Sequence, residues 1–149
     1  IDLNGQRIGR YDQDLRFASE DLKGAFFLVR LLEGTGGYEA YQGPLHFDAH
    51  AYRTEDCQGV WDFAAGCMRS YKILAAKTKA FDADAEVQEI IAANHVDPEN
   101  IGPILGKFSL ENRDALNKLD LDPDALAAQG HRYERLDQLA MEHIMGVRG

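Results

Sequence analysis

Only two strand signals are legible in this chain, each followed by a helix, and no other feature restricts its fold as strongly. Ile1-Asp2-Leu3 reads as the end of a strand before the turn Asn4-Gly5, and Leu45-His46-Phe47-Asp48 reads as a second strand. Between them, Ser19 with Glu20 and Asp21 makes a helix start, and Leu22, Phe26, Val29 and Leu32 recur at helical spacing up to Gly34. After the second strand, Thr54 is placed to cap a long helix whose apolar face includes Val60, Phe63, Cys67, Tyr71 and Leu74. This alternation is the order of right-handed parallel strand–helix units. Parallel sheets are covered on both faces, so two such strands need neighbours from elsewhere. The first residue, Ile1, is not an initiator methionine, and the chain is expected to continue a polypeptide that begins upstream.

Beyond Phe81 the strand signals stop. Asp84 to His95 reads as a helix, and Asp97-Pro98 and Gly102-Pro103 punctuate a loop. Asp122-Pro123 is an N-cap followed by proline at the first helical position, with Gly130 closing that helix. From Tyr133 to Met145, the residues Leu136, Leu139, Ala140, His143 and Ile144 fall on one stripe. The expected organisation is α/β over residues 1–82 and an all-helical tail over 83–149.

A formal net charge of −9, from 25 acidic and 16 basic residues, argues against a nucleic-acid partner, which would require clustered Lys and Arg. No apolar run approaches the roughly 20 residues of a membrane helix, and no charged-apolar-small signal pattern is legible in these residues, so no membrane association is expected. The two cysteines, Cys57 and Cys67, form no CxxC motif and no disulfide framework. A reducing, cytoplasmic setting is expected.

The acids near the strand ends carry the chemical signal. Asp2 stands where a parallel strand meets its loop, the face on which barrels and open sheets build their sites. Asp12 and Asp14 form a D-x-D pair, and Asp48 closes the second strand. Hard cations such as Mg²⁺ and Mn²⁺ take carboxylate oxygens, and a dinuclear site takes several. A lone D-x-D is more often a solvated turn, and an EF-hand is excluded because Arg16 and Phe17 stand where that loop needs an oxygen ligand and glycine. His46, Asp48 and His50 alternate along the second strand, but for each histidine a buried, hydrogen-bonded role outweighs zinc ligation. Cys57 and Cys67 lack a base partner for nucleophilic chemistry. His95, His131 and His143 read as structural, and Trp61 and Tyr71 as core or helix-packing residues.

Read as ordered words, Ile1-Asp2-Leu3-Asn4-Gly5-Gln6, Tyr11-Asp12-Gln13-Asp14-Leu15 and His46-Phe47-Asp48 resemble the xylose (glucose) isomerase family. Arg53-Thr54-Glu55-Asp56, Gly59-Val60-Trp61 and the closing run Leu136-Asp137-Gln138-Leu139-Ala140-Met141-Glu142-His143 extend the resemblance over essentially the whole chain, more loosely between Asn94 and Asp120. It implies the C-terminal portion of a TIM (β/α)₈ barrel: its last two strands and helices, then a helical extension making subunit contacts in a homotetramer. A complete barrel typically takes about 250 residues, so the missing N-terminal part of the barrel is the first partner implied.

The resemblance further implies a cytoplasmic isomerase binding two Mg²⁺ or Mn²⁺ ions, with Co²⁺ an alternative, that interconverts D-xylose with D-xylulose and D-glucose with D-fructose by a 1,2-hydride shift. Asp2 and Asp48 match ligands of the substrate-binding metal, and Asp12 and Asp14 match ligands of the second. The catalytic residues would all lie upstream. One departure stands out: the family usually carries lysine then proline two residues after the strand acid, where this chain has His50 and Ala51. His50, beside the second-metal carboxylates, puts the metal preference in question. Two rivals stay open, a non-catalytic assembly fragment and a related metal-dependent sugar epimerase, the latter leaving Leu136–His143 unexplained.

Overall fold

Asp21, rather than Ser19, opens the first helix. Its carboxylate accepts the Gly24 N–H, and α1 runs Leu22–Leu32. The computed structural model describes residues 1–35, 39–94, 109–120 and 122–148. The second helix, α2, spans Cys57–Ala83 and is capped by Asp56, which accepts the Gly59 N–H. Thr54 falls too early for that role, because the Glu55 N–H is already turned back onto the Tyr52 carbonyl. Asp84 ends α2 and begins α3 (Ala85–Ala93), accepting the N–H groups of Glu86 and Val87.

Three further helices follow among the described residues. Ser109 caps α4 (Leu110–Asn117), which the sequence pattern did not reveal and which buries no side chain. Asp122 and Pro123 start α5 (Pro123–Gln129), ending at Gly130, and α6 runs Tyr133–Met145 to Gly146 in the left-handed region. The Asp97-Pro98 and Gly102-Pro103 signals and His95 lie outside the described residues.

One apolar cluster joins these elements. Phe26, Val29 and Leu32 of α1 meet Cys67, Leu74 and Phe81 of α2, and Val87 and Ile90 of α3 join them. The α6 stripe is covered by α1, α2 and α3 of the same chain: Leu139, Ala140 and Ile144 are buried and Leu136 is half-buried. Phe81 is central, meeting Phe26 and His143 edge-on and carrying the Arg30 guanidinium above its ring. Arg30 also holds Asp82 through one carboxylate oxygen at 2.7 and 2.9 Å, an ion pair largely removed from solvent between α1 and α2. Tyr71 is half-buried, as expected, and donates to Glu33; burial and that bond push its hydroxyl well above the usual range. Trp61 departs from expectation, since its side chain is 72% exposed on the outer side of α2.

The two expected strands are reduced to one parallel bridge. Leu3 N–H bonds the His46 carbonyl at 2.7 Å, and His46 N–H bonds the Ile1 carbonyl at 3.0 Å, pairing Asp2 with His46. A second, antiparallel bridge joins Gly5 to Leu15. No longer ladder forms among the described residues, because a parallel pair without flanking strands lacks the neighbours that stabilise it. The barrel strands themselves therefore remain an expectation, although α1 and α2 follow the two bridged segments as strand–helix units require.

Candidate metal site at the bridged segments

The parallel register sorts the side chains by chemistry. Leu3 is buried and Phe47 half-buried against the helical core. With a side-chain period of two, the alternate residues Asp2, Asn4, His46 and Asp48 belong to the opposite side. Across the bridge, His46 Nδ1 lies 3.0 Å from Asp2 Oδ1, with both side chains 69% exposed. His46 is thus hydrogen-bonded, as the sequence suggested, but not buried.

Asp12 and Asp14 reach this region on a loop pinned at several points. Gly5 and Leu15 exchange two backbone hydrogen bonds of 2.7 and 3.1 Å. Asn4 Nδ2 donates to Asp14 Oδ1 at 3.3 Å, and the His50 N–H donates to the Asp14 carbonyl at 3.1 Å. Beyond the loop, buried Phe17 packs against Phe47 and Tyr71, fixing its exit to both the second segment and α2. Asp12 and Asp14 have φ of 26° and 47°, in the left-handed region that aspartate tolerates better than most non-glycine residues. Such backbone persists only where the surroundings over-determine it.

Gly5 is indispensable to this arrangement. A Cβ on it would lie 2.3 Å from the Arg16 carbonyl oxygen and 2.9 Å from Ser19 Oγ. Gly5→Ala is therefore expected to part the Gly5–Leu15 bridge and destabilise the protein by about 1–3 kcal/mol. At Gly66, inside α2, an added Cβ meets nothing nearer than the Arg16 side chain at 3.7 Å. Gly66→Ala should stabilise by up to about 1 kcal/mol. Thermal unfolding of the two variants should show midpoints moving in opposite directions; a matched rise would mean that the Gly5 contact yields freely.

The electrostatics mark where a cation would be welcome. The neighbouring Asp14 carboxylate, through its charge and a hydrogen bond, pushes Asp12 up from its ordinary value, with Asp48 adding a smaller repulsion. Asp12, Asp14 and Asp48 thus share one crowded anionic field. His50 Nε2 lies 4.0 Å from Asp14 Oδ2, and His50, Leu15, Arg16 and Phe63 line a cleft of about 370 Å³. Carboxylates with an imidazole suit hard to borderline divalent cations, and like-charge crowding is what such a cation relieves. Among the described residues, however, no three His, Cys, Asp or Glu side chains converge closely enough to hold an ion. The residues fit part of a metal site, and an ion there would need further ligands. Behind them, an apolar groove of about 660 Å³ runs between Leu45, Phe47 and the Val60, Ala64 and Met68 side of α2.

Two further histidines of the described residues, His131 and His143, are held by hydrogen bonds. His131 Nδ1 bonds Asn94 Oδ1, and its carbonyl accepts from Asn94 Nδ2. His143, 2% exposed, places Nε2 3.1 Å from Asp84. Cys67 is a buried free thiol and Cys57 an exposed one. No helix among the described residues is long and apolar enough to cross a membrane.

No family model matches the chain. Among curated proteins, it is 54% identical over all 149 residues to proteins named xylose isomerase from Thermus caldophilus and Thermus thermophilus, spanning 38% of each. It is 49% identical over 151 aligned positions to a protein of that name from Streptomyces lividans, covering 99% of this chain and 36% of that protein.

Proposed function

The chain is homologous along its whole length to part of the xylose isomerases, and on that premise we propose that it is the C-terminal part of such an enzyme. The whole protein would interconvert aldoses and ketoses, D-xylose with D-xylulose and D-glucose with D-fructose, by a 1,2-hydride shift. The observation that carries this reading is 54% identity sustained over every residue of the chain. The share of the relatives left uncovered is where the remaining barrel strands and catalytic groups would reside.

Within that enzyme, Asp2 and Asp48 would hold the substrate-binding divalent cation, and Asp12 and Asp14 the second. Mg²⁺ or Mn²⁺, with Co²⁺ as an alternative, suits this donor set. When bound, such cations supply stabilisation of the negative charge that develops on adjacent sugar oxygens. The chain's own residues do the positioning. The bridge to His46 fixes Asp2; Asn4, Gly5 and the His50 N–H fix the loop carrying Asp12 and Asp14. The apolar groove beside Leu45 and Phe47 would be covered by the upstream part of the polypeptide, and residues 83–149 would contribute contacts within a homotetramer.

The test is a comparison of the isolated chain with the full-length polypeptide. The isolated chain should show no xylose turnover and only weak Mg²⁺ or Mn²⁺ binding, because each ion would be under-liganded and Mg²⁺ demands near-ideal octahedral geometry. The full-length polypeptide should turn xylose over. Turnover by the purified chain alone, or none by the full-length protein with metal, would refute the reading.

A further inference from the structure

The loop closed by the Gly5–Leu15 bridge carries, ahead of its aspartates, a tip that the rest of the chain leaves uncovered. Ile8 is 97% exposed and Tyr11 96%, more than any other large apolar side chain among the described residues. Arg10 stands between them, exposed, and its guanidinium has no partner among the described residues. The tip is nonetheless well tied. Arg7 to Arg10 form a β-turn closed by the Arg10 N–H on the Arg7 carbonyl at 3.1 Å, with Gly9 supplying the positive φ of 76° at its third position. Gln6 Nε2 donates to the Arg10 carbonyl at 3.0 Å, and the Arg7 N–H donates to Gln13 Oε1 at 3.1 Å. Arg7 Nε holds Glu20 at 2.6 Å. A loop ordered in advance loses little further freedom on docking. Tyrosine and arginine are also among the side chains that carry most binding energy at interfaces.

Placement and charge say what covers it. Upstream barrel strands would pair along the edges of the bridged segments, whereas the tip lies past Asn4, beyond the end of the first segment, where loops leave a sheet. Glu20 already neutralises Arg7, so the free charge of the tip is that of Arg10. Acidic residues outnumber basic ones 25 to 16 in this chain, so a second copy offers that charge acidic ground. The region of α4 is one such surface. It buries no side chain in its own chain, leaves Leu110 and Leu116 exposed, and is followed by Asp120, Asp122 and Asp124. We propose that the tip Arg7–Tyr11 docks on a second copy of the protein, with Arg10 meeting carboxylates and Ile8 and Tyr11 meeting apolar side chains of that copy. This rests on the homo-oligomeric reading above and gives it a contact surface outside residues 83–149.

The experiment is sedimentation of the full-length polypeptide and its variants over a concentration series, at low and at high salt. Arg10→Glu should weaken self-association by about tenfold or more, because it sets like charges against each other across the contact. The loss should be larger at low salt, where screening is weak. Tyr11→Ser should weaken association by about tenfold at either salt, as loss of an aromatic anchor does. Arg10→Lys, which keeps the charge, should stay close to the unchanged protein. Thermal midpoints of all variants should match, since these side chains pack against nothing in their own chain. Unchanged association in both Arg10→Glu and Tyr11→Ser, or a full-length protein that sediments as a monomer, would overturn the proposal. Unchanged association with the tip amides protected from hydrogen exchange would also overturn it, assigning the cover to the upstream polypeptide instead. Xylose turnover, measured on the same unmodified preparation, keeps the two levels apart. If the protein turns xylose over while the variants associate normally, only the docking surface fails; if it does not, the enzyme reading fails by itself.

Discussion

In the full-length polypeptide, Asp14→Asn is expected to lower kcat/KM for xylose by at least about a hundredfold, the upper end of what loss of an outer-shell metal partner costs. Asp21→Asn should leave it within about twofold. Asp14 lies in the left-handed region, held by Asn4 and the His50 N–H, and crowds Asp12. Asp14 is half-buried, and these restraints fix the direction in which its carboxylate points, as a ligand must be aimed. Asp21 instead caps α1 through Gly24 N–H. Asparagine caps nearly as well, and the lost charge at a helix N-terminus is worth about 0.3–1 kcal/mol. The two variants remove the same charge, so net charge cannot explain a difference between them. Equal activity losses at matched folding stability would contradict the assignment of Asp14 to a cation.

Asp84→Ala is expected to open the α3–α6 junction, at a cost of about 3 kcal/mol. The Asp84 side chain, 10% exposed, caps α3 and meets both His143 and Arg148. Its loss would leave the buried His143 with neither nitrogen bonded, since Nδ1 already has no partner. Around it, Arg135 grips Glu86 with two bonds of 2.7 and 2.8 Å, and Arg148 reaches Glu86 at 2.9 Å. Asp84→Asn should retain the cap and lose less. Hydrogen exchange of the α6 amides should accelerate about a hundredfold in Asp84→Ala; unchanged protection would show that apolar packing alone holds α6.

The same junction sets a pH dependence. Chiefly through the Arg148 hydrogen bond, with His143 and two backbone N–H groups adding, Asp84 is held far below the carboxylate range despite its burial. Arg135 brings Glu86 from 4.5 down to about 2. Both carboxyls are depressed in the folded state, so their stabilisation is complete above the ordinary carboxylate range. It should drain as pH falls from about 4.5 toward 2 and below, as protons bind the unfolded state first. Protection of α6 should therefore weaken over that acid window and stay level above it.

Much of the helical architecture was legible because helix ends and faces are local properties. Asp122-Pro123 and Gly130 delimit α5, and the 3.6-residue stripe from Leu136 to Ile144 marks α6. Local chemistry also misplaced some boundaries. Asp21 and Asp56 displaced Ser19 and Thr54 as caps because the backbone turns just before each helix decide which side chain meets a free N–H. Trp61 looked like a packing residue by type, but no residue type carries the identity of the surface it faces.

The sequence by itself determined the chemistry at hand: which residues are carboxylates and imidazoles, in what order, and beside which strand ends and turns. It also determined the family relation, since identity over the whole chain is a property of the string of residues. Only the tertiary structure decided that Asp2 pairs with His46, that Gly5 admits no side chain, and that His50 is tied to Asp14. Each of these joins residues 11 to 44 positions apart, and no local propensity encodes which distant group a given backbone position meets. It likewise decided that the α6 stripe packs on α1–α3, because an amphipathic face specifies that it must be covered and not by what.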